Sequence, residues 1–349
     1  MRKPTMRISG PADLLQAVPY LLGFHPTDSL VLLGLDDRRL VVTARVDLPD
    51  LAEPRALSQL IDALARGGAR ELLAVVYGAG GPVPDISGGR GGGTSWQLPW
   101  AGLVPALDEE CKQSGCELGD ALYVAGGRWW SYLCDGAGCC PRSGTPLPQA
   151  PSQFVAEATF AGMVALPDRA SLEATLDPVA PDRLTAMADL VAAEDRQGVA
   201  ETVAGRGERA IRSVKRAIFA AARRADAAAE AETEWVLSDA DVARFGSALT
   251  QSAVRDPVWI AVDAGRLDGR TLWRELARRL PGRHAAAPLF LFGWGSWRAG
   301  NGALAGIAAD RAVERDPGYG AADLLRAALT YGLSPNQVPR LSSRRNRVA

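Results

Sequence analysis

Residues 29–48 read Ser-Leu-Val-Leu-Leu-Gly-Leu-Asp-Asp-Arg-Arg-Leu-Val-Val-Thr-Ala-Arg-Val-Asp-Leu. Two runs rich in Val and Leu flank the polar residues Asp36, Asp37, Arg38 and Arg39, which is the pattern of a β-hairpin with a polar loop. Along the second run Val42, Ala44, Val46 and Leu48 alternate with Val41, Thr43, Arg45 and Asp47. Successive strand side chains point to opposite faces, so Arg45 and Asp47 are expected on one face. Upstream, Leu14, Leu15, Val18, Leu21 and Leu22 recur at helical spacing over residues 11–22, and Gly23 ends the helix. Downstream, a helix over 54–66 stops at Gly67 and Gly68 and an apolar strand covers 71–77. A second helix over about 100–114 precedes a second hairpin, 121–125 with 128–133, around Gly126 and Gly127. The glycine-rich stretch 78–95 lacks periodicity and reads as a mobile loop. Hairpins interleaved with helices predict a mixed sheet with helices packed on it, not a purely doubly wound βαβ sheet.

After Pro167 the strand signals fade and alanine-rich helical periodicity runs almost to the end. Helices are expected over 171–175, 181–194, 208–232, 239–254, 269–280, 303–314 and 320–331, separated mostly by Pro/Gly loops. The fold class is therefore α+β or α/β: an N-terminal mixed sheet with β-hairpins and packed helices, followed by an all-α helical domain. The expected divisions are a mixed domain over 1–166, a helical domain over 167–337 and a basic disordered tail over 338–349.

The 349 residues are 47% hydrophobic and 23% charged, with a formal net charge of -1. That excludes the strongly basic composition of a protein that coats nucleic acid and the strongly acidic one of a solvating tail. No signal peptide and no run of about eighteen apolar residues is recognised, so the expectation is a cytoplasmic protein without a membrane span. The five cysteines, Cys111, Cys116, Cys134, Cys139 and Cys140, crowd into one short segment of a long chain. Reduced thiols are expected rather than a disulfide framework.

Four motifs stand in order along the chain: Gly-Phe-His-Pro-Thr-Asp-Ser-Leu-Val at Gly23–Val31, Arg-Val-Asp-Leu-Pro at Arg45–Pro49, Cys-Cys-Pro-Arg-Ser-Gly at Cys139–Gly144, and Trp-Arg-Ala-Gly-Asn-Gly-Ala-Leu-Ala at Trp297–Ala305, the last followed by Asp316-Pro317. Together they resemble the largely actinobacterial family known as domain of unknown function 4192. The resemblance implies a bacterial, cytoplasmic protein and carries no activity with it.

Three constellations offer chemistry. Cys134, Cys139 and Cys140 place three thiols in seven residues after a hairpin, so zinc is possible there, although no other cofactor is expected. The fourth ligand would come from Asp135, from Cys111 or Cys116, or from water, and buried structural thiols are the simpler account. His25, Asp28, Ser29, Arg45 and Asp47 could meet at one sheet edge as the acid, base and hydroxyl of a small-molecule hydrolase or transferase, with Cys139 or Cys140 nearby. Turn, cap and strand-pair roles account for the same residues. Arg209, Arg212 and Arg216 fall on one face of the helix over 208–232, opposite Ile211, Val214, Ile218 and Ala222. Such a face suits an acidic protein partner or, less readily, a phosphate backbone. The stretches 88–95 and Gly300-x-Gly302-x-x-x-Gly306 miss the spacing of phosphate loops, so a floppy insertion and close helix packing are expected instead. Trp294 and Trp297 could line a groove, but aromatic residues at this spacing more often fill core. The leading expectation is a non-enzymatic binding or regulatory module whose helical half engages a partner; a sheet-edge hydrolase or transferase and a zinc-stabilised interaction domain are the alternatives.

Overall fold

The computed structural model describes residues 10–53, 55–80, 83–84, 96–134 and 140–341. Most of the glycine-rich stretch expected to be mobile, Cys139, and residues 342–349 lie outside the described residues. The chain divides into two compact units: residues up to Ser171 with Thr330–Gln337, and Leu172–Leu329 with the segment from Val338.

The first unit runs α1 (Pro11–Leu22), β1 (Ser29–Asp36), β2 (Arg39–Asp47), α2 (Ala56–Arg66), β3 (Glu71–Tyr77), the short pair β4 (Val83–Pro84) and β5 (Trp96–Gln97), α3 (Leu103–Gln113), β6 (Glu117–Ala125), β7 (Arg128–Ser131), β8 (Thr145–Pro146) and α4 (Gln153–Phe160). Its six-stranded sheet has the order β2-β1-β3-β6-β7-β8. Among the strands of the described residues only β3 and β6 pair in parallel, joined across α3, whereas β1 is antiparallel to both β2 and β3. The mixed sheet read from the two hairpins is therefore present. One face carries Leu30, Leu32, Ala74, Val76, Ala121 and Tyr123 into a core with Ile61 and Leu64 of α2 and Leu107 of α3. On the opposite face Ser29, Val31, Leu33, Val75 and Leu122 are buried as well. That double burial is why the start of β1 reads as an unbroken apolar run.

The second unit is helical: α5 (Arg169–Ala174), in which the division falls, then α6 (Pro181–Val203), α7 (Gly207–Glu230), α8 (Asp239–Leu249), α9 (Ser252–Asp263), α10 (Arg270–Arg279), α11 (Ala286–Arg298), α12 (Gly302–Arg315) and α13 (Gly320–Thr330). No helix among the described residues is long and apolar enough to cross a membrane.

Three expectations change. The helix expected over 239–254 is two, because Gln251 is extended and the Thr250 hydroxyl donates to Ser247 O at 2.6 Å, drawing the chain out of the helical ladder. Helix α11 is absent from the sequence reading because it is apolar nearly all round, 11 of its 13 residues being buried, and such a segment has no amphipathic period. Residues 338–341, expected in a disordered tail, are held: Arg298 Nη1 donates to Val338 O at 3.0 Å, Arg340 donates to Asp263 O, and Leu341 N donates to Asp263 Oδ2 at 2.6 Å.

Candidate functional site

The residues singled out at the sheet edge lie where β1 begins and where β2 and β3 end. Ser29, the first residue of β1, stands opposite Asp47 of β2 and Tyr77 of β3. Tyr77 pairs with Val124 of β6, which pairs in turn with Trp129 of β7. Cross-strand partners share a face, so Asp47, Ser29, Tyr77, Val124 and Trp129 form one rung across the sheet. Arg45, two residues before Asp47, shares that face. Its Nη2 lies 2.6 Å from Asp47 Oδ1 and 3.4 Å from Thr27 O, and its guanidinium sits 6.0 Å from the centroid of the Phe24 ring.

The structure thus unites Ser29, Arg45 and Asp47 and leaves His25 and Asp28 out. His25 is exposed, its backbone amide donating to Leu166 O at 2.9 Å. Asp28 is exposed in a left-handed conformation at φ 42°, its carbonyl accepting from Leu48 N at 3.0 Å. Among the described residues the Ser29 hydroxyl has no hydrogen-bond partner, so none of them stands as a base ready to take its proton. The acid–base–hydroxyl constellation expected from sequence is not assembled. Sequence reasoning missed Tyr77 and Trp129. A tyrosine closing an apolar strand is the available signal, because its hydroxyl needs a partner wherever its ring is buried. Burial holds the Tyr77 phenol well above the ordinary tyrosine range. Beyond Tyr77 the chain turns at Gly78, and the Tyr123 hydroxyl donates to Gly80 O at 2.8 Å. Burial, with the Asp28 carboxylate adding, raises the Tyr123 phenol too.

At the cysteine turn, Cys134 and Cys140 are half-buried. Among the described residues no group of three or more His, Cys, Asp or Glu side chains is placed to hold a metal ion. The described part of the turn has a packing duty. Trp130 Nε1 donates to Arg142 O at 3.1 Å, Arg128 Nη1 donates to Gly144 O at 2.9 Å, and Gly144 at φ 74° passes so close to Trp130 that a Cβ would sit 2.5 Å from the ring. Cys111 and Cys116 are buried in the core of the first unit, Cys116 Sγ donating to Cys111 O at 3.4 Å. Burial first, then the neighbouring Cys116, pushes the Cys111 thiol up to about 12. The thiolate is the reactive form, so alkylation of the native protein at pH 8 should leave Cys111 unmodified, whereas denaturant should release it. Peptide mapping after iodoacetamide treatment checks this, and rapid native labelling of Cys111 would contradict the burial described.

In the helical unit Arg209, Arg212 and Arg216 are exposed on α7, with Ile218 and Ala222 buried opposite. Arg212 pairs with Glu208 at 3.1 Å. Trp294 and Trp297, offered from sequence as a groove, are core residues in an aromatic cluster, 5.0 Å between centroids. Close packing does not explain Gly302 or Gly306: a Cβ on Gly302 would meet nothing within 4 Å, and one on Gly306 only Leu329 at 4.0 Å. The turn is shaped by Asn301 instead, which caps α12 by accepting from Leu304 N at 3.1 Å. A further polar trio, unread in the sequence because its members are far apart, joins Asp195 to the Ser247 hydroxyl at 2.5 Å and to His284 Nε2 at 3.1 Å beside an open cavity of about 310 Å³.

Fold and site together define a two-unit α+β protein with a mixed-sheet unit, a helical unit and a polar rung at one end of the sheet. The chain belongs to the family described as Domain of unknown function (DUF4192), which it matches over residues 11–336. No curated protein and no solved structure matches it.

Proposed function

We propose that this protein is a non-enzymatic binding or regulatory module of the bacterial cytoplasm, and that its helical unit engages an acidic protein segment through the α6–α7 hairpin. The outer half of that hairpin carries the reading: no residue between Val191 and Ile218 is buried. Elsewhere in the helical unit the helices bury a stripe or more, as α11 does. A hairpin end with no buried residue contributes little to its own unit's core. It leaves Val199 at 66% and Val203 at 84% exposed, beside a stretch of α7 in which residues 207–216 hold four basic side chains and one acidic one. Arg209 and Arg216 have no ion-pair partner among the described residues. Exposed apolar side chains next to unpaired guanidinium groups suit an acidic amphipathic segment better than a duplex phosphate backbone, which offers no apolar surface to the valines.

The hydrolase alternative needs a base at Ser29, and the described geometry supplies none. The zinc-stabilised alternative turns on Cys139, outside the described residues.

The triple substitution Arg209→Glu, Arg212→Glu and Arg216→Glu tests the reading. Binding of poly-L-glutamate to the full chain, measured by anisotropy across a salt series, should weaken tenfold or more and lose most of its salt dependence. Surface changes away from caps and core stay within about 0.5 kcal/mol each, so the melting transition should be nearly unmoved. Unchanged binding would overturn the proposal, and preferential binding of duplex DNA would replace the acidic partner with nucleic acid.

A further inference from the structure

Among the described residues seven buried side-chain nitrogen or oxygen atoms have no hydrogen-bond partner, and four of them lie on one face at one end of the sheet: Ser29 Oγ and Tyr77 Oη on adjacent strands, Trp129 Nε1 two strands beyond Tyr77 on the same rung, and Arg45 Nε on the strand next to Ser29. Buried polar groups are nearly always paired, and leaving one unpaired is unfavourable because it has given up its water without a replacement partner. Four on one face at one end of a sheet are a set, not scattered defects. All four are hydrogen-bond donors, and Arg45 Nε and Trp129 Nε1 can only donate. Ser29 is 0% and Tyr77 9% exposed, so these groups are fixed in place by the strands that carry them. The carboxylate that could have answered them is occupied, because Asp47 takes the Nη2 edge of Arg45 at 2.6 Å and leaves Nε unanswered.

The position of the set agrees with its chemistry. Tyr77 is the last residue of β3, and Val124 is next to last in parallel partner β6. The rung therefore lies at the carboxyl ends of the parallel pair, beside β1, where the strand direction reverses. In open α/β sheets ligands bind outside the carboxyl ends of the strands. Asp47, its side chain 48% exposed, marks the solvent end of the rung, with the fully buried Ser29 beside it.

We propose that this rung is a binding site for a small oxyanion, a carboxylate or phosphate group, whose oxygens accept from Ser29, Tyr77 and Arg45 Nε, which stand on three adjacent strands. The site belongs to the first unit and does not depend on the hairpin reading of the second. Neutralisation of Arg45 by Asp47 makes it a donor-rich site of low net charge, so recognition comes from hydrogen bonds and excludes ions that accept them poorly.

The experiment is calorimetric titration of the full chain with inorganic phosphate, with malonate, and with chloride as control, repeated on Tyr77→Phe and Ser29→Ala. The oxyanion should bind in preference to chloride, the stronger of phosphate and malonate identifying the head group. Each variant should weaken it tenfold or more. Melting of the unliganded variants decides between a ligand site and an internal polar cluster. Removing a hydroxyl that has no partner should leave the melting temperature unchanged or raise it, whereas removing one satisfied within the fold lowers it. Absence of oxyanion binding, variants that bind as the parent does, or variants destabilised without ligand would each overturn the proposal.

Discussion

Asp263→Ala is expected to destabilise the helical unit by about 3–5 kcal/mol, because truncating one member of a buried ion pair leaves the other charge uncompensated. Asp263 is completely buried and Arg298 nearly so, with Arg298 Nη2 2.6 Å from Asp263 Oδ1. Trp294 Nε1 donates to the same oxygen at 2.8 Å, while Leu341 N takes the other at 2.6 Å. The guanidinium lies 5.5 Å from the Trp294 ring centroid and 5.0 Å from that of Trp297, so it is sandwiched between aromatic faces and the strap at 338–341. Removing the carboxylate strands a cation, an indole N–H and a backbone N–H at once. Urea unfolding followed by tryptophan fluorescence reads this directly, since three indoles of the unit, Trp259, Trp294 and Trp297, form one chain of contacts. A loss of under about 1 kcal/mol, the size of an exposed pair, would mean that the site is wet and the burial wrong.

Trp130→Ala should have a comparable effect on the first unit, about 3–5 kcal/mol, the usual cost of deleting a buried Trp or Phe side chain. The ring is buried against Tyr123, 5.7 Å between centroids, and its N–H holds the turn at Arg142. Gly144→Ala should be harmful for a related reason, since its Cβ would overlap that ring and its φ of 74° disfavours any side chain. The two changes should not add: with the ring gone the overlap disappears and only the backbone strain remains. A double-mutant cycle by chemical denaturation measures that coupling, and strict additivity would show that Gly144 does not press on Trp130. The Cys-Cys-Pro-Arg-Ser-Gly motif then owes its turn to the seating of an indole, whatever Cys139 does.

Each motif that carried the family resemblance has acquired a physical task of this kind. Arg45 and Asp47 form the strand pair that period-two alternation foretold, and Ser29 opens β1 at their side. Arg298 is half of the buried ion pair, Asn301 the cap of α12, and Asp316 accepts from Gly318 N at 3.3 Å to shape the next turn. What could not be read were partners distant in sequence. Nothing near Trp294 announces that its indole needs Asp263, and nothing near Ser29 announces Tyr77, 48 positions along the chain.

The amino-acid sequence alone determined the element types wherever a segment has two unlike faces: amphipathic α1, α2 and α7, alternating β2, the polar hairpin loops, and the succession of a mixed-sheet unit by helices. Those signals are local, because one solvated face leaves its period in the order of residues. Tertiary structure alone decided the rest. It buried α11 on every side and so erased its period, split α8 from α9 at a turn that no glycine or proline marks, and pinned residues 338–341 to a carboxylate more than seventy positions earlier. It also chose which polar side chains meet. The register of three strands, which no single strand encodes, set Ser29 beside Tyr77 and Asp47 and left His25 in solvent.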